Sequence, residues 1–244
     1  MKKLIVMAAM LLTACAAQQA REAAGSRESA RIHTELGAGY YQRDQMGIAL
    51  EEFTEATKID PGYAQAYNGL GLVYGKLGED AKADDSYTKS LQLEPGNPES
   101  HNNYGTFLCS RNRIDESIVQ FNDAVRDPLY ATPEMAYLNA GICSLKKKDE
   151  KNAEVYLQKA LQIQPLLHQA AYQLALIQFN RGHYAEARKS LVNALISNPT
   201  ADMLWLGIRI ERMLGDKDAV SSYALQLRRN YPDSKQTKML LSGQ

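Results

Sequence analysis

The chain has 244 residues, 28 of them basic and 28 acidic, and 45% of its side chains are hydrophobic. Electrical neutrality excludes the basic footprint that nucleic-acid binding needs, and charge alone would not bring the chain to an anionic membrane.

The amino terminus reads as a secretory signal. Lys2 and Lys3 give a positive start, and Leu4 to Leu12 form a short apolar run. That run is far below the roughly 20 residues that a membrane-spanning helix requires. It ends in Leu12-Thr13-Ala14-Cys15, which resembles a bacterial lipobox. The resemblance implies a signal over residues 1–14, cleavage before Cys15, a diacylglycerol on its thiol and an acyl chain on its new amine. No other cofactor is expected. Two or more acyl chains anchor stably, at about 0.8 kcal/mol per buried CH₂. Ala16 follows the cysteine, where an aspartate would resemble the inner-membrane retention signal of enteric bacteria. The expected location is therefore the outer membrane, lipid-anchored and facing the periplasm. Loss of residues 1–14 removes two lysines and no acid, leaving 26 basic and 28 acidic residues and a net charge of about −2. Residues 15–29, polar and alanine-rich after the cysteine, are expected to be a tether.

From residue 30 the chain repeats itself. Pro61 and Pro95, and again Pro165 and Pro199, are 34 residues apart. Aligned on these prolines, six segments share one pattern. Each opens on His33, Tyr67, His101, Tyr137, Ala171 or Trp205, mostly large side chains. Three residues later come Leu36, Leu70, Tyr104, Ala140, Leu174 and Ile208, and next a small residue: Gly37, Gly71, Gly105, Gly141 or Ala175. A glycine costs about 1 kcal/mol in a helix interior, so its recurrence points to close helix–helix approach. A second helix repeats the logic, with Ala49, Ala83, Ser117, Ala153 and Ala187 each four residues before Phe53, Tyr87, Phe121, Leu157 or Leu191. The proline then pushes its predecessor out of the α region and ends that helix.

This pattern resembles the tetratricopeptide repeat, a helix–turn–helix unit. The resemblance implies an all-α, right-handed superhelical solenoid of six repeats over residues 30–233, with a C-terminal cap over 234–244. The repeats are placed at about 30–63, 64–97, 98–131, 134–167, 168–201 and 202–234. Two departures stand out. The stretch "DPLYATPE" (127–134) adds two residues between repeats 3 and 4. The sixth repeat, aligned on Trp205, has Arg209 at the small position and is one residue short before Pro232.

The usual catalytic sets are missing. There is no H-E-x-x-H, C-x-x-C, G-x-S-x-G or phosphate-binding glycine loop, and His33 and His101 occupy opening core positions. An enzyme is not expected, nor a metal or a small-molecule substrate. Cys109 and Cys143 lie in apolar helical segments and are expected as buried free thiols, although an oxidising compartment leaves a bridge open.

A binding surface remains. The first helix of each tetratricopeptide hairpin lines the concave groove. With the opening residue as position 4, the groove falls at positions 2, 5, 9 and 12. That stripe gives Gln65, Asn68, Leu72 and Gly75 in repeat 2, then Glu99, Asn102, Thr106 and Cys109 in repeat 3. It turns apolar with Met135, Leu138, Ile142 and Leu145, then Gln169, Tyr172, Leu176 and Phe179, then Met203, Leu206, Ile210 and Met213. A second candidate is the leading face of repeat 1, with Ile32, Tyr40, Tyr41 and Ile48.

Lipobox, short tether, six repeats and terminal helix together are similar to type IV pilus lipoproteins of the PilF/PilW type. The likeness implies a pilotin that binds the secretin subunit, the channel-forming protein of the outer membrane, and promotes its localisation and multimerisation. An adaptor lipoprotein that brings a periplasmic protease to peptidoglycan-remodelling enzymes is the alternative, since it would use the same fold.

Overall fold

In a computed structural model of the chain, residues 22–196 and 198–243 are described in full, and the backbone of the first helix from Lys2. Cys15 and the signal sequence lie outside the fully described residues. The described residues form helices joined by short turns, and no strand occurs among them. They include five antiparallel pairs, two helices between them and a last helix. Helix α1 (Lys2–Gln42) pairs with α2 (Met46–Ile59) and α3 (Ala64–Leu77) with α4 (Asp80–Leu93), and α5 (Pro98–Ser110) and α6 (Ile114–Ala124) follow in the chain. Next, α7 (Pro133–Lys146) pairs with α8 (Glu150–Ile163). Helix α9 (His168–Asn180) pairs with α10 (Tyr184–Leu191), which runs on into a 3₁₀ turn (Val192–Leu195). Helices α11 (Ala201–Leu214) and α12 (Lys217–Asn230) form the last pair, and α13 (Lys235–Leu241) is the cap. The chain divides into two compact units, residues 1–107 and 108–244. Each is an all-α stack of helical hairpins, as the repeat predicts.

One residue per hairpin turns the chain through the left-handed region. These are Asp44, Gly78, Asn112, Lys148, Gly182 and Gly215, with φ between 60° and 80°. Glycine, asparagine and aspartate tolerate that conformation, whereas Lys148 incurs its steric cost. The intervals are 34, 34, 36, 34 and 33 residues. The long one reflects the insertion at 127–134. The short one corrects the alignment of repeat 6 by one residue: its opening position is Leu204, not Trp205. Leu204 to Pro232 then spans 28 residues, as Tyr67 to Pro95 does, so the repeat is of full length.

The corrected alignment explains the missing small residue. In repeats 1, 2 and 4 a Cβ on Gly37, Gly71 or Gly141 would lie 2.9, 2.7 or 2.8 Å from Phe53, Tyr87 or Leu157. Small on the first helix meets large on the second. In repeat 6 the sizes are exchanged, Ile208 standing at the small position and Ala224 at the large one, within one buried cluster. Leu36 was expected in a core yet is 46% exposed, like Ile32. Later hairpins turn the equivalent residues, Ala136 and Ala140 or Ala170 and Leu174, onto a preceding hairpin, and repeat 1 has no such neighbour among the described residues.

Two further expectations change. Cys109 and Cys143 are joined by a disulfide, Cα to Cα 5.9 Å, within ordinary bridging distance, and are not free thiols. Residues 22–29 continue helix α1, where Ala23 and Ala24 favour helix. Arg27 there lies over the Tyr63 ring, 5.5 Å from its centroid.

Candidate functional site

In the amino-terminal unit the inner stripe of α3 and the first turns of α5 is mostly polar, and Gln65 Oε1 is buried there without a hydrogen-bond partner. Asn68 is only 9% exposed and its Oδ1 accepts from Asn103 Nδ2 at 3.3 Å. Gln65 Nε2 donates to Glu94 Oε2 at 3.0 Å. Leu72 and Asn102 are half-buried. The leading face of this unit is more open: Ile32 and Ile48 are exposed, and Tyr40 and Tyr41 half-buried. Arg43 lies 6.0 Å over the Tyr40 ring.

In the carboxyl-terminal unit the stripe divides into surface and core. Ile142 and Leu145 on α7, and Tyr172, Leu176 and Phe179 on α9, remain half-buried and form an apolar row, with Met135 exposed beside it. Leu138, at 1% exposure, packs instead against Ala170 and Leu174. Leu206 and Ile210, at 2% and 0%, are core residues packed with Ala175 and Leu191, so neither is available to a partner. Their misplacement follows from the one-residue offset, because each residue turns an α-helix by about 100°.

The corrected positions of repeat 6 are Asp202, Trp205, Arg209 and Arg212. Sequence reasoning missed all four as site residues; the 28-residue spacing from Leu204 to Pro232 was the signal that would have found them. The Arg209 guanidinium lies 4.3 Å from the centre of the Phe179 ring, and Arg212 lies 5.6 Å from that of Trp205. Gln236 on the cap α13 donates to Asp202. Burial raises the Tyr172 hydroxyl above the usual tyrosine range; Asp202 adds to this and Arg209 opposes it. Apolar side chains thus continue into an edge of ring-stacked arginines. Such a surface suits contact with a peptide. Among the fully described residues no cluster of histidine, cysteine or carboxylate side chains has the arrangement of a metal site.

Known proteins share this fold. Models of the tetratricopeptide repeat match residues 37–78, 64–97, 86–119, 136–165 and 172–235. The type IV pilus assembly protein PilF of Pseudomonas aeruginosa is 32% identical over 211 residues, which span 86% of this chain and 84% of that protein. Among solved structures, PilW, described as a widely conserved type IV pilus biogenesis factor, is similar with a TM-score of 0.74. Its identity is 34%, over 87% of this chain and 98% of that one. The structure of P. aeruginosa PilF gives 0.80 at 30% identity, over 90% of this chain and 100% of that one.

Proposed function

The chain belongs to the PilF/PilW family of tetratricopeptide proteins of type IV pilus biogenesis, and from that premise we propose that it acts as a pilotin. In this reading it is an outer-membrane lipoprotein facing the periplasm. It binds the secretin subunit and promotes its localisation and multimerisation. The observation that carries the proposal is the likeness to PilF, which runs through most of both chains.

The chemistry of the chain supports each part. A secretin subunit must bring apolar surface across the aqueous periplasm before it inserts. The row from Ile142 to Phe179 is half-buried apolar surface of the kind that marks partner sites. Lipids on Cys15 supply the membrane address, since two or more acyl chains make release negligible. The Cys109–Cys143 bridge belongs to an oxidising compartment such as the periplasm. The protein acts by binding and not by catalysis.

The test is a secretin immunoblot of cell envelopes under partly denaturing conditions, comparing wild type, a deletion of this gene and Cys15→Ala. Loss of multimers in the deletion, with mislocalised multimers in Cys15→Ala, is the expected result. Normal outer-membrane multimers in all three strains would overturn the proposal.

A further inference from the structure

We propose that the inner face of the carboxyl-terminal unit recognises an acidic amphipathic segment of its partner. The segment's apolar face covers Ile142, Leu145 and Leu176, and a carboxylate pairs with Arg209. This rests on the reading above, that the face is a docking site for the secretin.

Charge complementarity identifies the occupant. Two arginines on the neighbouring hairpin turn and second helix are held by carboxylates. Arg181 pairs with Glu154 at 2.6 Å and Glu150 at 3.2 Å, and Arg188 with Glu211 and Asp216. Arg209 differs. Among the described residues no ion pair reaches it, and its described contact is the Phe179 ring. A guanidinium held over a ring still has its N–H donors for another partner, and the ring contact restricts its side chain. Much of the entropy of fixing it is therefore spent before a partner arrives. The one acid at the inner positions of α7, α9 and α11 is Asp202, and Gln236 of the cap already donates to it. A partner meeting this surface finds apolar side chains bordered by positive charge. A basic or purely apolar segment would leave Arg209 to be desolvated without compensation, whereas a carboxylate accepts from a guanidinium through two parallel bonds.

Dimensions agree. Helices α7, α9 and α11 pack in sequence, and at interaxial distances of about 8–10 Å the face spans roughly 20 Å. About four turns of an amphipathic helix cross that distance.

The test uses the purified full-length lipoprotein in detergent and fluorescent 14-residue peptides tiling the secretin, read by anisotropy. The tightest peptide is expected to combine an apolar face with Asp or Glu. Replacing those acids with amides, or Arg209 with Gln, is expected to weaken binding about tenfold. The two changes together should cost little more than either alone, and Arg209→Lys should restore only part of the loss. Leu176→Asp, checked for folding by its melting curve, reports on the face itself. If Leu176→Asp abolishes binding while Arg209→Gln and the amide peptide behave as wild type, acid recognition is overturned and the docking face stands. If a peptide binds and neither variant affects it, the docking face is wrong as well. Absence of binding by every peptide overturns both.

Discussion

Reduction of the Cys109–Cys143 bridge should cost the carboxyl-terminal unit about 4 kcal/mol. The two cysteines stand 34 residues apart in sequence. Closing a loop of that size in the unfolded chain removes about 12–13 cal/mol/K, or about 4 kcal/mol at 25 °C. The closed loop holds α6 and the lengthened connection before α7, where the regular spacing is broken and cross-linking has most to constrain. Stacked repeats need not unfold as one body, so the loss should be local. Amide hydrogen exchange is expected to accelerate in α6 and α7 on reduction, with little change in α11 to α13. A Cys109→Ala/Cys143→Ala variant should match the reduced protein, apart from the contact of Ser117 Oγ with Cys143 Sγ at 3.0 Å. Urea unfolding with and without reductant supplies the magnitude. A shift below about 1 kcal/mol, or faster exchange confined to α11–α13, would refute the reasoning.

Other substitutions test the packing and the turns. Gly69→Ala places a Cβ 2.2 Å from Phe53, itself 2% exposed. Overpacking of about 1–3 kcal/mol outweighs a helix gain of about 1 kcal/mol, so the thermal midpoint should fall; a rise would contradict the close approach. Ile208→Ala should lose about 2–5 kcal/mol. Adding Ala224→Leu should recover more than 1 kcal/mol in a double-mutant cycle, whereas simple additivity would deny that the two residues have exchanged sizes. Lys148→Gly relieves a left-handed lysine and should stabilise by about 0.5–1 kcal/mol in urea. Asp149 caps α8, and hydrogen bonds from the Asn152 amide and side chain hold its carboxyl below the usual aspartate range. Its contribution is full above the unfolded value of about 3.9 and is lost as pH falls through the lower folded value. Asp149→Asn should flatten that part of the acid-denaturation curve, and an unchanged curve would remove Asp149 from the account.

The hairpins were legible because their signals are local and periodic. Prolines close the second helices, small residues face large ones, and a fixed interval returns the same face to the same side. Tertiary context decided the rest. Nothing local to Cys109 or Cys143 distinguishes a buried thiol from a bridged one; the bridge depends on adjacent first helices bringing the two Cα atoms to 5.9 Å. Leu36 carries the pattern of a core residue, yet no neighbour among the described residues buries it. Trp205 misled for the opposite reason. As the only tryptophan it looked like the opening residue of repeat 6, when that position belongs to Leu204, one residue earlier. The single step rotated the inferred face by about 100°, assigning the buried Leu206 and Ile210 to the groove and overlooking Arg209 and Arg212.

That same tryptophan links the end of the stack to the candidate site. Trp205 is 9% exposed and belongs to a core cluster with Leu204, Ile208, Ala224 and Leu227, against which Met239 and Leu240 of the cap pack. Arg212 lies over its ring, and the cap's Gln236 donates to Asp202 one turn earlier on α11. The helix that shields the last hairpin from water therefore also supports the ring beneath one arginine and engages the acid at the inner positions of α11. A terminal helix needed only as a lid would have no reason to reach Asp202. Its polar contact with α11 makes the cap part of the geometry that presents positive charge, so its effect on a partner is separable from its effect on stability.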